Sequence, residues 1–242
     1  MMEGTPRLPE RLLLSDLEVR VEVAPARSGI RLTVERDATV TARVPPAVDA
    51  DALARVIDSR SQWLHEKLAA RRDEIDARVV KRLVSGERFA YLGRGYRLRY
   101  ADDGPEEIRL VAGRLRLRRD RQATAAELLV DWYVRGGRRW LPRRVEGWAR
   151  VMSLPNPPLT VRPLGHRWGS CGSDGTVNIH WATMQLPVDL LDYVLVHELA
   201  HLSHRAHTLE FWRTVEKALP GAARRREQLR LAGAGLWFPE VP

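Results

Sequence analysis

Residues 188–201 read VDLLDYVLVHELAH, and this stretch is the most informative part of the 242-residue chain. His197 and His201 lie four residues apart, so a helix would place both imidazoles on one side, with about 5–6 Å between their β-carbons. That separation suits two bonds of about 2.0–2.1 Å to a single zinc ion. Glu198 would point to the neighbouring side, where its carboxylate can reach a water on the metal without binding the metal itself. The spacing predicts a hydrolytic zinc site.

The residues around this pattern favour a buried helix. Pro187 and Asp189 are typical of a helix start, with proline in the first turn and an acid at the positive end of the helix dipole. Residues 188–203 contain no glycine or proline, and their aliphatic side chains would form a broad apolar surface. The alternative is a core helix with ordinary histidines. Burying Glu198 between two histidines is costly there without a metal or a polar cavity.

The third ligand of such a site has two candidates. A catalytic zinc keeps three protein ligands and one open position. His204 follows His201 by three residues and would share its face if the helix continued. His207 would reach the metal only if the chain turned near Arg205 and Ala206. Spacing alone leaves both histidines open.

Composition indicates a globular protein that is long enough for one or two domains, with 44% hydrophobic residues. No apolar run approaches the ~20 residues that span a bilayer, and the polar stretch from Met1 to Glu10 is not typical of a signal peptide. We therefore expect no membrane partner. Cys171 is the only cysteine, which excludes an internal disulfide and favours a reducing, cytoplasmic location. The net charge of +9 makes DNA a candidate partner through its phosphates.

The hydrophobic periodicities predict an α+β protein. We expect a small β-rich N-terminal domain with one long helix at residues 12–120, a second domain at 121–235, and flexible tails at 1–11 and 236–242. In the first domain, the alternating stretches 17–23 and 30–44 predict a hairpin, and residues 48–75 predict a single helix. Four further strands are expected at 89–92, 97–100, 108–111 and 115–118.

The second domain should begin with a helix over residues 124–150, kinked or divided at Gly136-Gly137 and Pro142. Two strands, 159–168 and 176–184, are expected to form an antiparallel hairpin across the turn 172–175. The zinc helix follows, and Thr208 can cap a helix that runs to Leu219, before a last basic helix. Tryptophans spaced by eight residues on the first helix (Trp132, Trp140 and Trp148) are expected to pack inward, with the arginines between them in solvent.

The motifs resemble those of the YgjP-like metallopeptidases, which are relatives of the SprT-like and WLM-type zincins. The matching segments are 167–171 (RWGSC), 177–181 (VNIHW), Pro187, 192–201 (DYVLVHELAH), and His207 followed by Phe211-Trp212. A weaker likeness extends to the opening hairpin and to residues 86–93. The resemblance covers most of the chain.

The resemblance implies a zincin core of helix, antiparallel hairpin, HExxH helix and C-terminal helices. It implies that His197, His201 and His207 bind one Zn²⁺ and that Glu198 is the catalytic base. It also implies that an edge strand before the metal helix, at residues 176–183, pairs with an extended polypeptide substrate. His180 departs from the asparagine common in the family, so its role in substrate contact is open.

Two other peptidase classes fit less well. The spacing from His197 to His207 also matches the metzincins, but no methionine follows Met184, so their Met-turn is missing. A thiol nucleophile at Cys171, with His166 or His180 as base, is a second chemistry. The tight loop from Gly169 to Gly172 favours a structural thiol instead.

The sequence predicts a zinc metallopeptidase that acts on polypeptides, with DNA-associated proteins as candidate substrates. The alternative is a nucleic-acid-binding or scaffold protein with a structural zinc and no hydrolytic activity. The residue that stabilises the oxyanion is open between four candidates: Arg167, His166, His180 and Tyr193. The oligomeric state and the role of His204 are also open.

Overall fold

The structure is a computed structural model that describes residues 8–14, 17–25, 28–35, 38–76, 81–165 and 167–239, with only the backbone described at 73–76. The chain divides into two compact units, Met1–Ala77 and Arg78–Pro242. The sequence prediction placed the domain boundary at 120/121 instead. The expected tail residues 1–7 and 240–242 lie outside the described residues.

The N-terminal unit contains a four-stranded sheet, formed by β1 (Arg11–Leu14), β2 (Leu17–Val23), β3 (Arg31–Val34) and β4 (Val40–Val44). The strand order is β1-β2-β4-β3, and β2 pairs with β4 in parallel. The expected hairpin of 17–23 with 30–44 is therefore wrong, because β4 lies between β2 and β3. Four of the five β4 residues are buried, which is typical of a strand with neighbours on both sides and cover on both faces.

Two helices replace the single helix expected at residues 48–75. They are α1 (Ala50–Asp58), whose first turn is capped by the carboxylate of Asp49, and α2 (Ser61–Asp76). The first helix, α1, is ended by Ser59. The backbone N–H of Ser59 donates to Arg55 O, and its hydroxyl donates to Val56 O. Serine competes for backbone hydrogen bonds in this way and favours helix ends.

The C-terminal unit begins with a second four-stranded sheet, of order β5-β6-β8-β7. Its strands are β5 (Arg88–Tyr91), β6 (Arg94–Ala101), β7 (Arg109–Val111) and β8 (Arg114–Arg118), which confirms the four strands expected there. Phe89, Leu98 and Leu115 share one buried core with Leu129 and Tyr133 of the following helix. This shared core explains why the sheet belongs to the C-terminal unit.

That helix, α3 (Ala125–Val151), runs unbroken through the two glycines and Pro142, where a kink or a division was expected. Tertiary contacts account for the glycines. A β-carbon at Gly136 would lie 3.1 Å from the Tyr91 hydroxyl, and one at Gly137 would lie 3.0 Å from Val161. Both glycines therefore let neighbouring side chains approach the helix axis, and they do not end the helix.

A three-stranded sheet and three helices complete the unit. The strands β9 (Leu159–Arg162), β10 (Gly169–Cys171) and β11 (Val177–His180) lie in the order β10-β11-β9. The hairpin is formed by β10 and β11, while β9 pairs with β11 in parallel. Of the strand expected at 159–168 only 159–162 is a strand, and the hairpin partner of β11 begins just after it, at Gly169. The helices are α4 (Val188–Ala200), α5 (Leu209–Ala218) and α6 (Ala222–Ala234).

The segment after α6 is part of the core. Leu236 and Trp237 are 8% and 3% exposed, so the expected flexible tail at 236–242 is wrong at these positions. The side-chain amide of Gln185 donates to Trp237 O and accepts from Trp237 N–H, which holds the segment in place. The α+β class is confirmed. Among the described residues, no helix combines the length and apolarity needed to cross a membrane.

Candidate active site

The helix that carries the histidines, α4, ends three residues earlier than predicted. It stops at Ala200, and the N–H groups of His201 and Leu202 donate to carbonyls three residues back, which tightens the last turn. The chain then turns through residues 201–207 and enters α5, where the Thr208 hydroxyl accepts from Phe211 N–H. This turn brings His207 back to the face of α4 that carries His197 and His201.

The imidazoles of His197, His201 and His207 form one cluster, in which one nitrogen from each ring lies within 4.8 Å of the others. The Nε2 atoms of His207 and His197 are 3.0 Å apart. Two nitrogens bound tetrahedrally to one zinc at about 2.0–2.1 Å would be about 3.3 Å apart. The donor set therefore fits a zinc ion with small adjustments.

His204, the competing candidate for third ligand, lies outside this cluster. Its ring nitrogen Nε2 is 3.2 Å from the Thr214 hydroxyl, and its carbonyl accepts a hydrogen bond of 3.0 Å from Nδ1 of His201. That hydrogen bond places the proton of His201 on Nδ1 and leaves the Nε2 lone pair for a metal. His204 thus orients His201 through its backbone.

Aromatic side chains of α5 hold the three rings. The ring of Phe211 lies 4.6–4.9 Å from each of the three imidazoles, measured between centroids. Trp212 stacks on His207 at 5.6 Å and 23°. These contacts restrict the ring orientations, so the cluster is packed before any ion binds.

Burial favours the neutral imidazole at His197 and at His207, which is the form that binds metals. Desolvation, followed by the proximity of His201 and His207, lowers the pKa of His197 to about 3. Burial also lowers the pKa of His207. Nδ1 of His197 is buried and has no hydrogen-bond partner among the described residues.

Glu198 is 6% exposed, and burial raises its pKa to about 7, although nearby Arg167 opposes this rise. Its carboxylate packs against the backbone of Gly169 in β10. A β-carbon at Gly169 would lie 2.6–2.8 Å from Cγ, Cδ and Oε1 of Glu198. Only glycine at this position leaves room for the carboxylate.

The expected edge strand at residues 176–183 is wrong. β11 occupies the middle of its sheet, and residues Trp181–Gln185 form a 3-10 helix. The strand beside Glu198 is β10, which lies at the sheet edge. Hydrogen bonds from His180 N to Trp168 O and from Gly172 N to Thr176 O fix the register. The alternation of an antiparallel ladder then turns the backbone groups of Gly169 and Cys171 toward the open edge.

Arg205 connects the end of β10 to the turn formed by residues 201–207. Its guanidinium donates to the carbonyls of Gly172 and Ser173, at 2.8 and 3.1 Å. The turn between His201 and His207 is therefore fixed to the end of β10. The sequence pattern gave no signal for this role, because Arg205 was noted only as a turn residue.

The other predicted residues have different surroundings. His180 is buried, accepts from Ala182 N–H and packs on Trp181, so it supports the 3-10 helix. Burial raises the pKa of the Cys171 thiol, which disfavours the thiolate that a nucleophile needs. His166 lies outside the described residues. Tyr193 remains a candidate, since its ring lies 6.0 Å from that of His197.

Arg226 of α6 is a site residue that the sequence pattern did not single out, because it is one of several arginines in the last basic helix. Its guanidinium lies 5.2 Å from the ring of Trp212, and its charge contributes to the low pKa of His197. It therefore adds positive charge close to the histidine cluster.

Comparisons with known proteins bear on the family of the chain. A family model for the YgjP-like metallopeptidase domain matches residues 28–232. The chain is similar to the metallopeptidase zymogen abylysin of Pyrococcus abyssi, with 27% identity, 39% of this chain and 95% of that chain covered, and a TM-score of 0.35. It is also similar to the metallopeptidase zymogen jannalysin of Methanocaldococcus jannaschii, with 15% identity, 37% of this chain and 90% of that chain covered, and a TM-score of 0.33. Both TM-scores are low, so the assignment rests on the family model. A comparison with curated proteins gives no match.

Proposed function

The chain belongs to the YgjP-like metallopeptidase family, and from this premise we propose a zinc-dependent peptidase in which His197, His201 and His207 hold one Zn²⁺ and Glu198 is the general base. The observation that carries the proposal is the convergence of three imidazole nitrogens within 4.8 Å. Three histidines are a ligand set typical of catalytic zinc.

The number of ligands argues against a purely structural zinc. A structural site is closed by four protein ligands, whereas a catalytic site keeps one position open. The cluster found among the described residues contains three histidines and no fourth ligand. The alternative, a scaffold or nucleic-acid-binding protein with a silent zinc site, is therefore less well supported.

Glu198 supplies the proton transfers. When bound, zinc acts as a Lewis acid and lowers the pKa of water at the site to about 7. The Glu198 carboxylate takes a proton from the attacking water and passes it to the leaving amine nitrogen. Its own pKa of about 7 in the metal-free chain lies close to physiological pH, where both steps are feasible.

We propose that the polypeptide substrate binds along β10. An extended chain can pair with the outward backbone groups of Gly169 and Cys171, which brings a peptide bond past the Glu198 carboxylate. This edge takes the role that the sequence prediction gave to residues 176–183. Arg205 would hold the turn between His201 and His207 at a fixed position relative to β10.

The test compares wild type with Glu198→Gln and with Glu210→Gln, a matched change at an exposed position on α5. We expect one zinc per chain in all three proteins, and cleavage of a denatured protein only by wild type and Glu210→Gln. The loss in Glu198→Gln should be at least about 10²-fold. Full activity in Glu198→Gln, or no zinc in wild type after supplementation, would overturn the proposal.

DNA-associated substrates and a cytoplasmic location remain further parts of the proposal. The first is supported by the net charge of +9, and the second by the single cysteine. Cleavage of a DNA-binding protein should accelerate with single-stranded DNA at low salt and lose this acceleration at high salt. An identical rate with and without DNA would remove the first part.

A further inference from the structure

A surface pocket of about 550 Å³ lies on α3 and is lined by Arg139, Trp140, Arg143 and Arg144. None of these residues belongs to the histidine cluster or to the strand beside it. Three guanidinium groups and one indole in a single pocket are an unusual lining. Apolar pockets for small molecules are lined mainly by aliphatic and aromatic side chains. The lining indicates an anionic ligand with a planar part.

The positive charge of the pocket is only partly neutralised. Arg139 and Arg143 are exposed and form no ion pair with any described residue. Two other surface arginines on α3 are paired, Arg135 with Glu107 and Arg150 with Glu146, whereas Arg138, which is not part of the pocket lining, has no ion pair with a described residue. Two guanidinium forks therefore remain available for phosphate groups, which they bind in a bidentate manner.

Trp140 supplies the planar surface. Its side chain packs against the core, as expected from the sequence, but it is only half-buried, and the guanidinium of Arg144 lies 5.8 Å from its ring. The same flank of α3 carries Trp132, which packs against Tyr91 at 4.7 Å. An indole at the edge of a basic pocket can stack on a nucleobase while arginines hold the backbone.

Arg144 is held rigidly from the opposite side. It donates two hydrogen bonds to the carboxylate of Asp192 on α4, and the Trp148 indole N–H donates to the same carboxylate at 3.0 Å. Asp192 is 5% exposed and lies five residues before His197. One lining residue of the pocket is thus tied to α4, the helix that carries two of the histidines.

We propose that this pocket binds single-stranded nucleic acid, with one base on Trp140 and adjacent phosphates on Arg139 and Arg143, while Arg144 stays paired with Asp192. The net charge of +9 favours a polyanion over a free nucleotide, because each further phosphate adds electrostatic attraction. The inference goes beyond the proposed peptidase activity and gives the proposed association with DNA a specific site, on which it rests. Binding needs neither zinc nor cleavage, so the pocket and the peptidase activity can fail independently of each other.

The test measures binding of a fluorescein-labelled oligothymidylate to the full-length chain by anisotropy. Three variants are compared with wild type: Arg139→Glu/Arg143→Glu, Trp140→Leu and Trp140→Phe. We expect the double reversal and Trp140→Leu each to weaken binding by about tenfold or more, and Trp140→Phe to retain most of the affinity because it keeps an aromatic ring. For single strands, each phosphate that the protein neutralises contributes about −0.7 to the slope of the logarithm of the binding constant against the logarithm of the salt concentration. The double reversal removes two such contacts, so the slope should become less steep by about 1.4.

The matched control is Arg109→Glu/Arg114→Glu, which changes the net charge equally at two exposed strand positions outside the pocket. It should weaken binding by less than about twofold. Equal losses in both double variants would overturn the proposal, since binding would then follow net charge alone. Competition experiments use AMP at equal nucleotide concentration and polyglutamate at equal charge. The proposal would also be overturned if either competitor displaced the labelled probe as strongly as unlabelled oligothymidylate does. Melting temperatures of all variants establish that each is folded.

Discussion

The carboxylate of Glu198 lies against the backbone of Gly169, so close that a β-carbon at Gly169 would be 2.6 Å from Cγ of Glu198. Separations below about 3.0 Å are not found for real β-carbons, and the neighbour here is a short, buried side chain that cannot move away freely. The edge strand and the general base are therefore fitted to each other. A change at residue 169 should act on Glu198 without touching the histidines.

We predict that Gly169→Ala reduces kcat by about 10²-fold or more while the zinc content stays unchanged, because the methyl group displaces the carboxylate and leaves the imidazoles in place. The measurement is steady-state proteolysis together with metal analysis. Gly147→Ala is the control, since a β-carbon at that helix position meets no atom within 4 Å. A Gly169→Ala enzyme with normal kcat would contradict the arrangement.

The identity of the third histidine gives a second prediction. His207→Ala should lose far more zinc affinity than the 10- to 100-fold typical for an outer hydrogen-bond partner, because it removes one of three nitrogens. His204→Ala should keep zinc within about threefold of wild type, because His201 Nδ1 donates to the backbone carbonyl of residue 204, which remains. Competition with a fluorescent zinc chelator measures both values. If His204→Ala lost more zinc affinity than His207→Ala, the third zinc ligand would be His204 and not His207.

The four expected strands between residues 88 and 118, α5 with its Thr208 cap, and α6 after Gly221 were predictable, because each depends on local alternation, capping or turn signals. The convergence of His207 on His197 and His201 was implied by the family resemblance. Spacing alone could not decide between His204 and His207, because the choice depends on α4 ending at Ala200.

Features that depend on distant parts of the chain were not predictable. The parallel pairing of β2 with β4 joins strands that are not consecutive in the chain, and local alternation does not reveal which strands become neighbours. The two glycines inside α3 are explained by the close approach of Tyr91 and Val161, which come from distant parts of the chain. The open edge at β10 became visible only when β9 was found on the other side of β11.

A third prediction concerns pH. Burial raises the pKa of Glu198 in the metal-free folded chain to about 7, above its ordinary value of 4.5. Below pH 4.5 the carboxyl is neutral in both folded and unfolded states and costs nothing. Between pH 4.5 and 7 the unfolded state ionises first, so folding stability falls, and above pH 7 the full cost of burying the charge is present.

Glu198→Gln should therefore stabilise the zinc-free protein relative to wild type by about 2–4 kcal/mol more at pH 8 than at pH 4.5. The low pKa of His197 makes folding stability rise with pH, which is the opposite trend. This effect is present in both proteins and cancels in the comparison. Urea unfolding in the presence of a chelator at the two pH values measures the difference. A pH-independent difference would show that Glu198 is not buried as a charge.

The last prediction concerns Gln185, which is 2% exposed and makes both of its amide hydrogen bonds with the backbone of Trp237. Gln185→Ala leaves a buried N–H and a buried carbonyl without partners, and each such group costs about 1–3 kcal/mol. We expect a loss of about 2–4 kcal/mol in the free energy of unfolding of the C-terminal unit. Gln122→Ala is the control, because that exposed side chain makes only a 3.5 Å contact with Leu83 O, and it should change stability by less than about 0.5 kcal/mol. If the two variants were equally stable in urea, the segment after α6 would contribute nothing to the fold, and its burial beside Phe89 and Trp181 would have no energetic consequence.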